Sequence, residues 1–163
     1  MRQTVTFLAT IIFSIGLIWA NPATAKTSST ADNESSGKVV KMTKADFLAN
    51  VMDFEKNPSE WVYKGQKPCL IDFYADWCGP CRITSPILDE LAAEYGDQIV
   101  IYKVNVDYEK ELAGVFGVRS IPSFLYCPME GKPSMTSGIG RDAAQTKEMF
   151  KGYIDNILLE KEK

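Results

Sequence analysis

The chain has 163 residues, with 18 Lys plus Arg against 21 Asp plus Glu, four Cys and no His. That length allows one ordinary domain with tails, and 45% hydrophobic with 11% aromatic residues excludes a disordered chain. The net charge of −3 argues against a nucleic-acid partner, and the missing histidine excludes Ser–His or Cys–His catalytic pairs, histidine-bound metals and c-type haem attachment.

Arg2 is the only charge before Lys26, and Val5 to Ala20 is an uncharged, largely apolar run. Asn21-Pro22-Ala23-Thr24-Ala25 follows. A positive start, an apolar run and a small-x-small end predict a secretory signal peptide over 1–25, cleaved after Ala25. The run is short for a membrane anchor and carries Thr6, Thr10 and Ser14. No stable membrane insertion is therefore expected after cleavage. Residues 26–38 are Ser-, Thr- and Asn-rich without a large apolar side chain, which predicts a flexible linker. The folded domain is expected over 39–163.

Val39 to Met42 reads as a short strand. Thr43 is a candidate N-cap, and Phe47, Leu48, Val51 and Phe54 carry a helical period as far as the break at Asn57-Pro58. Cys69 to Tyr74 is a nearly continuous apolar strand, the pattern of a strand covered on both faces. A helix is predicted from about Cys81 to Tyr95. It has Ile83, Ile87, Leu88 and Leu91 on one side, a kink at Pro86 and a stop at Gly96. Ile99 to Val106 is a second core strand, and Glu109 to Phe116 a short helix ended by Gly117. Ser123 to Cys127 and an edge strand within Ser134 to Ile139 follow. Asp142 opens a last amphipathic helix through Phe150, Ile154, Ile157 and Leu158. The order β-α-β-α-β-α-β-β-α predicts an α/β fold, a three-layer α/β/α sandwich with a mixed central sheet.

Trp77-Cys78-Gly79-Pro80-Cys81 carries the chemistry. Two cysteines, two residues apart, follow a buried strand and open a helix. A helix start offers unpaired N–H groups and the positive end of the dipole, and both stabilise a thiolate. Cys78 is expected to be the more exposed, attacking sulfur, and Cys81 the inward, resolving one. Asp72 is the only charge in its strand, six residues before Cys78. A carboxylate there is either ion-paired or raised in pKa, and it can exchange a proton with Cys81. Lys103 is either its charge partner or a lysine whose amine reaches the surface.

The run Leu70 to Cys81 and the later Gly117-Val-Arg-Ser-Ile-Pro122-Ser-Phe resemble the thioredoxin family in order and separation. The resemblance covers about Val39 to Leu159. It implies the thioredoxin fold, with Cys78 as nucleophile, Cys81 as resolving thiol and Asp72 as the buried aspartate. Trp77 resembles the indole that shields the disulfide, and Pro80, after Gly79, the residue that keeps thioredoxins reducing. Ile121-Pro122 resembles the cis-proline dipeptide whose exposed backbone pairs with an extended substrate. Gly138 and Ile139 resemble the loop completing that groove, and Tyr74 an aromatic position of the family. Read without the resemblance, Pro122 is an ordinary trans proline at a strand start, and Gly138 and Gly140 are turn glycines.

Cys69 and Cys127 fall outside the motif. The thioredoxin arrangement that the resemblance implies would make their strands antiparallel neighbours and bring them close. Cross-strand disulfides are strained, so both are expected as small buried hydrophobes, while export to an oxidising compartment leaves pairing open. They show no metal-ligand spacing, and no metal is expected at the Cys-x-x-Cys pair.

The expected function is thiol–disulfide exchange with protein substrates, without a bound cofactor. A redox partner, such as a membrane thiol–disulfide transporter, would supply electrons to a monomer in the bacterial periplasm or outside the cell. The Gly-Pro pair points to a reductase. Export leaves an oxidant or isomerase open, and a non-catalytic binding module on the same fold is the reading from another class.

Overall fold

The computed structural model describes residues 36–161. The expected signal peptide, and the expected linker as far as Ser35, lie outside the described residues. The elements are β1 (Val39–Lys41), α1 (Lys44–Asn50), β2 (Cys69–Tyr74), α2 (Gly79–Tyr95), β3 (Val100–Asn105), α3 (Lys110–Val115), β4 (Ser123–Cys127), β5 (Ser134–Ser137) and α4 (Ala143–Tyr153). A π-helical turn, Ile154–Leu158, continues α4.

The strands form one sheet in the order β1-β3-β2-β4-β5. β3 runs parallel to both β1 and β2, whereas β4 is antiparallel to β2 and to β5. β2 is therefore the middle strand, and alternate side chains along it go to opposite faces. Cys69, Ile71 and Phe73 join a core with Phe47 of α1, Leu112 of α3 and Leu125 of β4. Leu70 joins the other core with Ile87, Leu88 and Leu91 of α2 and Phe150 of α4. Helices on both faces explain why β2 carries almost no polar residue. The three-layer sandwich with a mixed sheet is the fold expected.

Several boundaries differ from the sequence reading. α1 opens with a reciprocal cap, in which the Thr43 side chain accepts from the Asp46 N–H and the Asp46 carboxylate accepts from the Thr43 N–H. It ends at Asn50, well short of the expected break at Asn57-Pro58. Val51 and Met52 are buried, but an irregular segment carries them, and burial alone mimics the helical period. α2 begins at Gly79, two residues earlier than expected, and runs on past Pro86, which is exposed. Ile83 is 45% exposed, so it is not part of the apolar side on which it was expected. Thr84 is buried in that face instead, with its hydroxyl donating to the Cys81 carbonyl at 3.0 Å.

Candidate active site around Cys78 and Cys81

The site lies where β2 ends and α2 begins. A turn brings the Cys78 N–H onto the Ala75 carbonyl at 3.1 Å. Cys78 itself is the N-cap of α2, in extended backbone, and its Sγ accepts the Cys81 N–H at 3.2 Å. No acidic residue occupies the first turn of α2. The positive end of that helix is thus left to act on sulfur, which favours a thiolate at Cys78. Cys78 and Cys81 are joined by a disulfide with Cα atoms 5.3 Å apart.

Both sulfurs are more enclosed than expected. Cys78 is 3% and Cys81 4% exposed, so the bridged pair shows no contrast in exposure. Ala75 is buried with them, and Tyr74, Val106 and Ile121 pack around the group. Gly79 and Pro80 are exposed beside it. Trp77 is 67% exposed, and its indole N–H donates to the Asp107 carboxylate at 2.9 Å.

Asp72 is fully buried, and neither carboxylate oxygen has a hydrogen-bond partner. It shares a face of the sheet with Leu70 and lies one pair of residues nearer the site, on the side that α2 covers. Burial pushes its pKa up to about 7, and the nearby Lys103 charge holds it back from rising further. Lys103 is opposite Asp72 in the β2–β3 register. Its ammonium nevertheless donates to the Ser85 hydroxyl at 2.8 Å and sits 4.4 Å from the centre of the Tyr74 ring. Among the described residues it forms no ion pair, so it acts on Asp72 through space. An open pocket of about 160 Å³ between Tyr74, Cys81, Ser85 and Lys103 connects this side of Cys81 with solvent.

The Ile121–Pro122 peptide bond is cis. The Gly138 N–H donates to the Pro122 carbonyl at 3.0 Å, which ties the end of β5 to this dipeptide. Gly138 has φ +83°, a conformation that favours glycine. Ile139, next in sequence, is half-buried. Among the described residues no group of three or more His, Cys, Asp or Glu is placed to hold a metal.

The thioredoxin family model matches residues 38–152, more than half of the chain. The chain belongs to the thioredoxin family. It is 41% identical over 105 residues to the thioredoxin of Borreliella burgdorferi, a match covering 64% of this chain and 89% of the relative. It is 45% identical over 95 residues to the thioredoxin of Alicyclobacillus acidocaldarius, covering 58% of this chain and 86% of the relative. A chloroplastic M-type thioredoxin of Pisum sativum is 48% identical over 73 residues, covering 43% of this chain and 42% of the relative. As a thioredoxin family member the chain is a thiol–disulfide oxidoreductase.

Within this thioredoxin site, two residues escaped the sequence reading. Asp107 holds Trp77 from thirty positions away. The signal for it was topological. Tyr74 and Asn105 end their parallel strands in register, so the segments just beyond them emerge side by side. Ser85, which holds Lys103, is one polar residue among many on α2, and only the packing of α2 over β3 singles it out.

Proposed function

We propose that the chain is an exported thioredoxin that reduces disulfides in protein substrates. The observation that carries this reading is the bridged Cys78–Cys81 pair at the start of α2, with an unpartnered, buried Asp72 on the sheet beneath it. In the reduced form the Cys78 thiolate attacks a substrate disulfide. A mixed disulfide forms and one substrate thiol leaves. The Cys81 thiol passes its proton toward Asp72 and attacks Cys78, so the second substrate thiol leaves and the disulfide seen here remains.

The backbone of Ile121 before the cis bond and the loop at Gly138 and Ile139 supply a groove for an extended substrate segment. Exposed Trp77 forms a further side of it. Tyr74 and Lys103 shape the solvent side. No cofactor enters the cycle, and a separate redox partner returns the electrons. A membrane thiol–disulfide transporter is the class of partner that a protein outside the cytoplasm can use.

The test is insulin reduction together with the midpoint potential. The family's general values are a thiol pKa of about 7 and a potential of about −270 mV, with about −120 mV for a strong oxidant; none is read from this chain. Activity lost in Cys78→Ser and a potential near the first value are expected. A potential near the second would reassign the protein as an oxidant, and thiol-independent wild-type activity would reject the mechanism.

Export rests on Arg2, the uncharged run Val5 to Ala20 and the Ala23-Thr24-Ala25 box. N-terminal sequencing of protein recovered from outside the cytoplasm should read Lys26 first. Recovery only from the cytoplasm with an intact Met1 would remove the periplasmic assignment.

A further inference from the structure

The two cysteines that thiol exchange does not use are Cys69 and Cys127. They stand directly opposite each other on β2 and β4. Both are free and buried, while Cys78 and Cys81 of the same molecule are bridged.

The ladder sets their separation. The Pro68 carbonyl accepts from Val100 N–H, and the Tyr74 carbonyl accepts from Val106 N–H, both on the β3 side. Backbone groups alternate sides along a strand, so Cys69, Ile71 and Phe73 turn theirs toward β4. Cys69 and Cys127 are therefore a pair that exchanges both backbone hydrogen bonds, with Cα atoms about 5.5 Å apart. That lies inside the roughly 4.4–6.8 Å range of disulfides. Their Cβ atoms, at about 5 Å in such a pair, stand about 1 Å wider than in a relaxed bridge. The bond is within reach, but it needs the two strands to close slightly.

The cover over the pair is also specific. The core that holds both sulfurs is closed in part by Phe54, Trp61 and Tyr63, all from the stretch between α1 and β2 that has no regular structure. Trp61 stacks on Tyr63. The Tyr63 hydroxyl lies against Cys69 and donates to the Lys67 carbonyl. A cleft of about 310 Å³ opens along Tyr63 and Lys67. Irregular chain of this kind opens locally at lower free energy than a sheet ladder does. Burial first, and then Cys69, hold the Cys127 thiol well above its ordinary value, so Cys127 is a poor nucleophile while covered.

We propose that Cys69 and Cys127 are a second, latent redox pair, which a small disulfide oxidises to a bridge between β2 and β4 when the irregular segment carrying Tyr63 opens. One thiolate attacks the small disulfide, forming a mixed disulfide and releasing one small thiol. The other thiolate then displaces the second small thiol. Two protein thiols are oxidised, and one small disulfide is reduced to two small thiols. Because the wide register disfavours the bridge, it forms only at an oxidising poise and opens before Cys78–Cys81 on reduction. The inference does not depend on the direction of the main reaction.

The test is to equilibrate the folded full chain across a series of reduced-to-oxidised glutathione ratios. Samples are then quenched in acid, denatured, alkylated and mapped by mass spectrometry. Two separate steps are expected: Cys78–Cys81 forms first, and a linked Cys69–Cys127 peptide appears at more oxidising ratios. The Cys78→Ser/Cys81→Ser variant, still folded by its melting curve, should lose two hydrogens in the second step alone. Cys69 and Cys127 fully alkylated at the most oxidising ratio would overturn the proposal, as would glutathione adducts on them that never convert to the linked peptide.

Discussion

Cys81→Ser should stop turnover after a single attack and leave the protein covalently joined to its substrate. Cys78 remains at the helix start with its activated position intact, so the first exchange proceeds. Serine in the next turn cannot displace the bound sulfur, because an un-ionised hydroxyl does not take part in thiol exchange. Insulin reduction under multiple turnover should fall by at least about 10³-fold. Adducts on a non-reducing gel should appear at the same time and collapse with dithiothreitol. Cys78→Ser should show neither activity nor adducts. Adduct formation in Cys78→Ser, or its absence in Cys81→Ser, would exchange or remove the two roles. The enclosure of both sulfurs makes this experiment informative, since exposure does not separate them in the bridged form.

Asp72→Asn should make the protein more stable and less active. The folded-state pKa of Asp72 is about 7, against an ordinary 3.8, because burial disfavours the charged form. That gap corresponds to roughly 4 kcal/mol of lost stability once the carboxylate is ionised. The sign follows from the raised value. The penalty is absent below about pH 4, grows as pH rises toward 7 and is complete above it. The variant should therefore melt roughly 10 °C higher than wild type at pH 8, with the difference vanishing near pH 4. Removing a proton acceptor matched to neutral pH should slow resolution of the mixed disulfide by about 10²-fold and abolish its rise with pH near 7. Lys103→Met should move that rise to higher pH, since Lys103 holds the Asp72 value down. Equal melting temperatures at pH 8 would show that Asp72 carries no buried charge.

Much of this site is legible in the sequence, for reasons that differ by residue. Asp72 stood out because a lone carboxylate in an apolar strand is costly. Cys78 and Cys81 stood out because a strand-to-helix boundary gives their spacing a meaning. The cis bond at Ile121–Pro122 had no local signal. Its dipeptide alone reads as trans, and only the resemblance to a family implied otherwise. Of the two open readings of Lys103, the charge partner is met only through space, since Lys103 lowers the Asp72 value without a direct ion pair. Its ammonium goes to Ser85 and Tyr74, a choice made by packing between α2 and β3 that one-dimensional spacing does not encode. The end of α1 was misplaced for a related reason. Val51 and Met52 are drawn to the sheet whether or not the chain around them is helical.

The Cys78–Cys81 bridge spans a sequence separation of three, inside the first turn of α2. The ring it closes is among the smallest a protein chain can make, and no other element passes within it. Opening and closing it leaves the connectivity of the sheet untouched. A molecule that must cycle between two covalent forms many times thereby keeps one topology throughout. A bridge from β2 to β4 would instead enclose α2, β3 and α3 in a single loop.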